Sequence, residues 1–174
     1  MPAPTFLSLN DDCTVVLRPI TEDEPTLRAG LVLTPSEQDD LSGIRHPAQR
    51  IEWLACRVAV RQLVKRQGLT YAGLQKDECG KPHLIDRLGE VSLSHTGGWA
   101  AAAWHRSRPV GIDVEPVREQ FSRVVPRVLS ADEIAHANGD PGRLAVYWCA
   151  KEALCKLYGK RNLTFREHLH VEPF

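Results

Sequence analysis

The segment YWCAKEALCKLYGK, from Tyr147 to Lys160, constrains the fold most, because a largely apolar helix must be buried against the rest of the chain. Trp148, Glu152 and Lys156 fall at i, i+4 and i+8 of such a helix, so they lie on one stripe. Small apolar residues and good helix formers occupy the positions between them. Taken alone, the acid and the base are best interpreted as an exposed ion pair worth about 0.3–0.5 kcal/mol.

The overall composition is that of an ordinary globular protein, with 174 residues of which 43% are hydrophobic and 25% charged. This length suffices for one sizeable core, or for two small lobes that share one. The formal net charge is zero, so the chain as a whole indicates neither a nucleic-acid binder nor a membrane protein. Basic residues are nonetheless concentrated between positions 45 and 66, where six stand against Glu52 alone. Such an excess suggests an anionic ligand nearby.

The sequence shows no targeting segment. No basic region followed by an apolar run is visible at the amino terminus, and no window approaches the roughly 18 apolar residues of a membrane span. The five cysteines are scattered without a CxxC pair, which favours reduced thiols over disulfides or a zinc site. We therefore expect a cytoplasmic protein.

The leading third of the chain predicts short strands followed by helices. Apolar runs at Val15–Leu17 and Leu31–Leu33 predict strands between turns. The stretch TPSEQDDL predicts a helix that starts at Pro35, with acidic residues in its first turn. A long helix is predicted from Pro47 to Gly68, where the glycine ends it.

The central region predicts a meander of three strands. The stretch VSLSHTGGWAAAAW alternates apolar and small polar residues around a Gly-Gly turn, which is typical of a hairpin. The following stretch VGIDVEP predicts a third strand that is closed by Pro116.

The last third is predicted to be mainly helical. Ser130 and Glu133 have the spacing of a capping box, and a helix is predicted over residues 144–158. The tail LTFREHLHVEPF alternates enough to predict one more short strand. No internal sequence repeat is visible, and the coarse prediction is an α+β fold in one compact unit.

The stretch GIDVE carries two carboxylates that a strand would present on one face. Asp113 and Glu115 stand at i and i+2, so they repel each other unless positive charge lies between them. For this pair alone, a solvated strand face and a functional site are equally good interpretations. The apolar flanks favour a half-buried strand, and rigidly held carboxylate oxygens suit Mg²⁺. Glu152 would be a third oxygen ligand if its helix crosses the strand.

Several cationic or polar side chains are candidate phosphate ligands. His95 precedes a glycine turn, where a hydrogen-bonding turn residue is the commoner interpretation, although glycines let backbone N–H groups approach phosphate closely. Lys81, in CGKP, is a turn lysine unless it faces a site. Arg50, Arg57 and Arg61 share a helix face, which is usually solvated, but guanidinium groups are also preferred partners of phosphate. Together with the carboxylates, these side chains are the parts of a phosphate-transfer site.

The motifs GKP, SLSHTGG, VGIDVE and WCAKEALCK, in this order and at these separations, resemble those of the 4′-phosphopantetheinyl transferases. The resemblance covers roughly residues 45–171 and is closer to the surfactin-synthetase-activating type than to the short trimeric holo-acyl-carrier-protein synthases. It implies the fold of that family, in which two small α/β lobes related by a pseudo-twofold axis share a cleft. The N-terminal lobe would span residues 1–108, and the C-terminal lobe residues 109–174.

The resemblance also implies the catalytic and metal-binding residues. Asp113, Glu115 and Glu152 would hold one Mg²⁺, and Glu152 would take the proton of the attacking serine, directly or through a water. Lys156 would face the phosphates of coenzyme A and offset charge on the leaving phosphate.

Further residues would bind coenzyme A by the same resemblance. Ser94 and His95 would contact a coenzyme A phosphate or its surroundings, as would Lys81. Arg50 would hold the 3′-phosphate, with Arg57 as its companion.

The family transfers the 4′-phosphopantetheine arm of coenzyme A to a serine of an apo acyl or peptidyl carrier protein and releases 3′,5′-ADP, so the resemblance implies this activity here. The alternative is a non-catalytic protein that binds coenzyme A or a carrier, although pure binding needs no acid beside a lysine. A nucleic-acid binder using RVAVRQLVKRQ is disfavoured, because the net charge is zero and few aromatics are interleaved. We expect a monomer whose partners are coenzyme A and a carrier protein, with no nucleic acid or membrane.

Overall fold

The computed structural model describes residues 3–118, 125 and 127–174. The strands in this part of the chain are β1 (Thr5–Asn10), β2 (Cys13–Pro19), β3 (Leu74–Lys76), β4 (Pro82–Leu84), β5 (Glu90–Thr96) and β6 (Trp99–His105). The helices are α1 (Glu24–Ala29), α2 (Pro35–Gly43), α3 (Pro47–Arg66), α4 (Ala131–Ala137), α5 (Pro141–Tyr158) and α6 (Phe165–His168). The α+β prediction is confirmed.

Four strands form one antiparallel sheet in the order β1-β2-β6-β5, and β3 pairs with β4 in a separate hairpin. The predicted central hairpin is confirmed, because β5 and β6 pair along their whole length. The predicted strand at Val15–Leu17 is confirmed within β2. Because β5 is at the edge of the four-stranded sheet, only one of its two sides pairs with a strand of that sheet.

Helix α3 packs its apolar stripe on one face of this sheet. Val16, Val91 and Ala102, from three neighbouring strands, are buried in one cluster with Val60 and Leu63 of α3. Each buried valine or leucine side chain contributes roughly 1.5–3 kcal/mol by leaving water. The sheet and α3 therefore form a rigid support for the residues at the end of β5.

Local capping signals set the helix starts as the sequence predicts. Thr34 caps α2 and Ser130 caps α4, and each forms a capping box with the glutamate three positions later, Glu37 or Glu133. In each box the hydroxyl accepts an N–H of the first turn while the glutamate accepts the N–H of the cap residue. The long helix α3 also begins at Pro47, as predicted.

Both capping-box glutamates belong to buried ion pairs that share one plan. Glu37 accepts a hydrogen bond from Nε of Arg57 at 3.0 Å, and Glu133 lies 2.7 Å from Nζ of Lys151. Each cation lies the same number of positions after the proline that begins its helix. The sequence shows no internal repeat, so the two segments resemble each other only in having a buried glutamate–cation pair at matching positions. This plan supports the pseudo-twofold relation implied by the resemblance, which stays a prediction.

Three strand predictions are wrong. Leu31–Leu33 is an irregular link between α1 and α2, and its alternation reflects two leucines packed into a core cluster with α3. The stretch VGIDVEP is irregular chain outside both sheets, because side chains of β5 bind its N–H groups. The tail forms α6 and irregular chain, and the carbonyl groups of Phe165 and Leu169 are turned towards Nζ of Lys151.

The cysteines and the helices add two observations. Each of the five cysteines carries a free thiol. Within residues 3–118, 125 and 127–174, no helix has the length and apolar character needed to cross a membrane.

Candidate active site

Side chains from three parts of the chain line one pocket, which we call the carboxylate pocket. They come from the end of β5, from the irregular segment 110–115 and from α5. The lining residues are Leu93, Ser94, His95, Asp113, Glu115, Trp148, Glu152 and Lys156. The stripe formed by Trp148, Glu152 and Lys156 therefore faces both carboxylates of GIDVE across this pocket.

Asp113 has one saturated and one free carboxylate oxygen. Its Oδ1 accepts hydrogen bonds from Oγ of Ser94 and from Nζ of Lys156, both at 2.7 Å. Its Oδ2 is buried and has no hydrogen-bond partner within the described part of the chain. Because an unpaired buried oxygen costs about 1–3 kcal/mol, this atom is suited to receive a cation or a donor that enters the pocket.

Lys156 pairs with Asp113 and not with its neighbour on the helix. Its Nζ also donates to the backbone oxygen of Ile112 at 3.1 Å, so it ties α5 to the segment 110–115. The interpretation of the acid and base as an exposed pair on one helix therefore does not describe α5. The two side chains instead face a third group from another part of the chain.

Glu152 is in an environment that disfavours its charged form. Burial raises the pKa of its carboxyl group above the ordinary value of 4.5, the charges of Asp113 and Glu115 raise it further, and Lys156 opposes them. Three carboxylates thus share a pocket with one lysine. A divalent cation would offset this excess of negative charge.

The donor set fits Mg²⁺ in its chemistry. Mg²⁺ takes oxygen ligands, commonly one or two carboxylates together with waters and phosphates. Asp113, Glu115 and Glu152 offer carboxylate oxygens to one pocket, and Oδ2 of Asp113 is unpartnered among the described residues. In the same part of the chain, no group of three or more His, Cys, Asp and Glu side chains is already arranged to hold a metal ion.

Cys149 lies beside Asp113 but is not a candidate nucleophile. Burial and the negative charge of Asp113 raise the pKa of its thiol to about 12. The thiol is therefore neutral at physiological pH, and only the thiolate is strongly nucleophilic.

A second cavity, of about 400 Å³, adjoins the carboxylate pocket and shares Leu93, His95 and Lys156 with it. We call it the cationic cavity, because its lining includes Arg57, Lys76, Lys81, Lys156 and Lys160. Lys81, from the predicted GKP motif, reaches the backbone oxygen of Leu157 in α5 at 2.9 Å. The β3–β4 hairpin and the end of α5 therefore enclose this cavity from two sides.

Two predicted ligands line the cationic cavity in different ways. His95 is at the rim, with its side chain 46% exposed and its Nδ1 3.3 Å from Oε2 of Glu52. Arg57 is only 5% exposed and is engaged with Glu37, while its guanidinium carbon lies 3.1 Å from the ring centroid of Trp53. Burial lowers the pKa of Arg57, although Glu37 opposes this effect.

The structure does not bring Arg50 to either cavity. Its Nε donates to both carboxylate oxygens of Glu24, at 3.0 and 2.9 Å, and its Nη1 donates to the backbone oxygens of Leu41 and Ile44. These contacts join α1, the end of α2 and α3. The assignment of Arg50 to a phosphate stays a prediction, and the structure supplies a rival role for it.

Sequence reasoning missed two side chains that build the site, and it missed the burial of a lysine in α5 that does not line it. Ser92 and Thr96 bind the segment that carries the carboxylates. Lys151, inside the KEA motif, is fully buried and lies outside the lining of both cavities. The hydroxyls at alternate positions of β5 were a visible signal, whereas nothing local distinguishes Lys151 from an exposed helix lysine.

The comparisons with known proteins point to one family. Residues 109–173, which contain both carboxylates of GIDVE and the stripe of α5, match the sequence model of the 4′-phosphopantetheinyl transferase superfamily. The phosphopantetheinyl transferase match therefore contains Asp113, Glu115, Glu152 and Lys156, whereas β5 and the cationic residues before it lie outside the matched segment.

Two proteins that are named as phosphopantetheinyl transferases are similar to parts of this chain. A putative 4′-phosphopantetheinyl transferase of Haemophilus influenzae is 28% identical over 126 residues, which are 66% of this chain and 52% of that protein. The 4′-phosphopantetheinyl transferase psf-1 of Bacillus pumilus is 38% identical over 74 residues, which are 40% of this chain and 31% of that protein. The chain thus spans about half, or less, of the curated relatives it matches. Its likeness to the surfactin-activating type in particular stays a prediction.

Proposed function

We propose that this protein transfers the 4′-phosphopantetheine arm of coenzyme A to a serine of an apo acyl or peptidyl carrier protein and releases 3′,5′-ADP. One observation carries the proposal: Asp113, Glu115, Glu152 and Lys156 line a single pocket that adjoins a cation-lined cavity. Carboxylates for a metal, a base and cations around the cavity beside them are the parts that phosphoryl transfer requires.

Asp113, Glu115 and Glu152 would hold the Mg²⁺, which when bound neutralises the pyrophosphate and polarises the phosphorus under attack. Oδ2 of Asp113 is the buried oxygen still available for this purpose. Ser94 keeps the other oxygen of Asp113 in place through its hydrogen bond. The single hydroxyl proton of Ser94 goes to Asp113, so its contact with a coenzyme A phosphate stays a prediction.

Glu152 would accept the proton of the carrier serine, directly or through one water. A base works best when its pKa is near the working pH, and the raised pKa of Glu152 is a shift in that direction. A carboxylate that also holds a metal is a weaker base, so the route through a water is the one we favour.

Lys156 would stabilise the charge that develops on the leaving group. As the serine oxygen bonds to phosphorus, the pyrophosphate P–O bond breaks and its electron pair leaves with 3′,5′-ADP. A cation placed where this charge appears lowers the barrier. Lys81 and His95 line the cationic cavity, where the phosphates of coenzyme A would bind.

The test is to incubate the protein with Mg²⁺, coenzyme A and a panel of apo acyl and peptidyl carrier proteins, and to measure the intact mass of each carrier. We expect at least one carrier to gain a phosphopantetheine group. Asp113→Ala and Glu152→Ala proteins are the controls, and both should be inactive while keeping their fold. Tight coenzyme A binding without modification of any carrier would instead favour the non-catalytic alternative.

The role of Arg50 is decided by comparing two ligands. The guanidinium of Arg50 already binds Glu24 and two carbonyl groups. We therefore expect Arg50→Ala to weaken the binding of coenzyme A and of dephospho-coenzyme A to the same extent. The measurement is the dissociation constant of each ligand by calorimetry. If Arg50 holds the 3′-phosphate, only the affinity for coenzyme A should fall, by roughly tenfold or more, as expected when a hydrogen bond to a charged group is lost.

A further inference from the structure

Strand β5 presents a hydroxyl group at every second position. Ser92, Ser94 and Thr96 share one face of the sheet, because side chains alternate along a strand. Val91 and Leu93, at the alternating positions, pack into clusters with α3 on the other face. All three hydroxyl residues are less than one-tenth exposed. The face of β5 opposite to α3 is therefore polar and covered.

The segment 110–115 covers this face and is bound by side chains of β5 in place of strand pairing. The N–H of Ile112 donates to Oγ of Ser92 at 3.1 Å, and the N–H of Val114 donates to Oγ of Ser94 at 3.3 Å. Two amides that are two positions apart in the segment thus bind two hydroxyls that are two positions apart in β5. This pairing fixes the register of the segment against the strand.

Two hydroxyls of β5 also bind the carboxylates of GIDVE. Oγ of Ser94 donates to Oδ1 of Asp113 at 2.7 Å, and Oγ1 of Thr96 donates to Oε2 of Glu115 at 3.3 Å. A hydroxyl can accept one hydrogen bond and donate another, so Ser94 binds the backbone and a side chain at once. Each carboxylate of GIDVE is therefore oriented by one hydroxyl of β5.

Small residues around the segment allow this close approach. Ala101 and Ala103 stand directly opposite Ser94 and Ser92 in β6, so they share the covered face and do not hold the segment away. On its other side, a Cβ added to Gly111 would clash with the backbone oxygen of Ala153 in α5. The segment is thus held between a hydroxyl face and a helix.

We propose that Ser92, Ser94 and Thr96 form a positioning ladder that orients Asp113 and Glu115 towards the cation, and that Thr96 is the positioning residue for Glu115. This inference rests on the proposed function, because it assumes that the two carboxylates bind a divalent cation. Groups that orient metal ligands typically change metal affinity by about 10–100-fold when they are removed.

Thr96 allows the sharpest test, because Ser94 is itself a candidate ligand of coenzyme A. Thr96→Val keeps the shape and removes the hydroxyl, whereas Thr96→Ser keeps the hydroxyl. The matched control is Thr14→Val in β2 of the same sheet. Thr14 is 5% exposed, and its hydroxyl accepts a hydrogen bond from Gln67 at 3.2 Å, away from the carboxylates.

The first measurement is the binding of Mn²⁺ alone to the full chain, detected through the paramagnetic resonance signal of the free ion. The second is the thermal unfolding of each variant. Mn²⁺ prefers the oxygen ligands that also suit Mg²⁺. We expect Thr96→Val to weaken Mn²⁺ binding about tenfold. Thr96→Ser and Thr14→Val should bind Mn²⁺ as the unaltered chain does, although both valine variants lose a buried hydrogen bond and melt earlier.

Each other outcome overturns a defined statement. Equal Mn²⁺ affinity in Thr96→Val and the unaltered chain would overturn the positioning role and leave the proposed function intact. Equal loss of Mn²⁺ affinity in Thr96→Val and Thr14→Val would also overturn the positioning role, because the loss would then follow from lower stability of the fold. Failure of the unaltered chain to bind Mn²⁺ would overturn both the ladder and the metal site.

Discussion

Replacing Lys151 by methionine should lower the free energy of unfolding by about 3–5 kcal/mol, the range for breaking a buried ion pair from one side. Lys151 and Glu133 are 0% and 1% exposed, and their charged atoms are 2.7 Å apart. The Nζ of Lys151 also donates to three backbone oxygens, those of Val128, Phe165 and Leu169. Methionine fills a similar volume but leaves the buried carboxylate without its cation and removes one donor from each of the three carbonyl groups.

The measurement is equilibrium unfolding in urea, with Lys65→Met as the matched control. Lys65 is an exposed lysine in the last turn of α3, so its replacement should change stability by less than about 0.5 kcal/mol. Glu133→Gln combined with Lys151→Met should recover part of the loss, because both charges are then removed. A loss close to that of Lys65→Met would show that the buried pair does not stabilise this lobe.

The same variant has an expected dependence on pH. Burial opposes the charge of Glu133, but hydrogen bonds from Lys151, Ser130 and Val171 outweigh it and lower the pKa of the carboxyl group below 4.5. The stabilisation is therefore present above pH 4.5 and is lost as the pH falls through the lowered value. Without Lys151, the strongest interaction that opposes burial is lost, so the pKa of Glu133 should rise. The stability difference between the two proteins should thus shrink between pH 7 and pH 4.

Replacing Lys156 by alanine should lower kcat by on the order of a hundredfold or more, as removal of an electrostatic stabiliser typically does. If Lys156 faces the leaving phosphate, its charge stabilises the transition state more than the bound substrate. Coenzyme A affinity should therefore fall much less than the rate. The measurement is single-turnover transfer to an apo carrier at saturating coenzyme A.

Two further variants sharpen this result. Lys156→Arg should restore activity only partly, because a planar guanidinium cannot take the place of a compact ammonium between Asp113 and the backbone oxygen of Ile112. Lys65→Ala, which removes an exposed lysine from α3, should leave the rate unchanged. A normal rate in Lys156→Ala would reduce the role of this lysine to its ion pair with Asp113.

The starts of α2, α3 and α4 were predictable because they depend on neighbours in the sequence. The capping boxes of Thr34 and Ser130 join groups three residues apart, so their hydrogen bonds form wherever the helix lies. The stripe of Trp148, Glu152 and Lys156 follows in the same way from the period of a helix. The central hairpin was equally local, since a Gly-Gly turn brings its two strands together.

The partners of the charged residues were decided only by the tertiary structure. Lys156 has Glu152 one turn away, yet it pairs with Asp113, which is 43 positions away in the chain. Lys151 looks like an exposed lysine by its sequence neighbourhood, yet it is fully buried against the tail. Long side chains pair with whichever opposite charge the packing of helices and loops brings within reach, and local spacing does not contain that information.

The sequence by itself predicted helices α2 to α5, the central hairpin and, through the order of its motifs, the residues on which the proposed chemistry depends. The tertiary structure decided how GIDVE is held. Its alternation predicts a strand, but the amides of Ile112 and Val114 are bound by the hydroxyls of Ser92 and Ser94. Alternation only places side chains on two faces of an extended chain. Whether the backbone between them pairs with a strand or with hydroxyl groups depends on what lies beside it, which here is the polar face of β5.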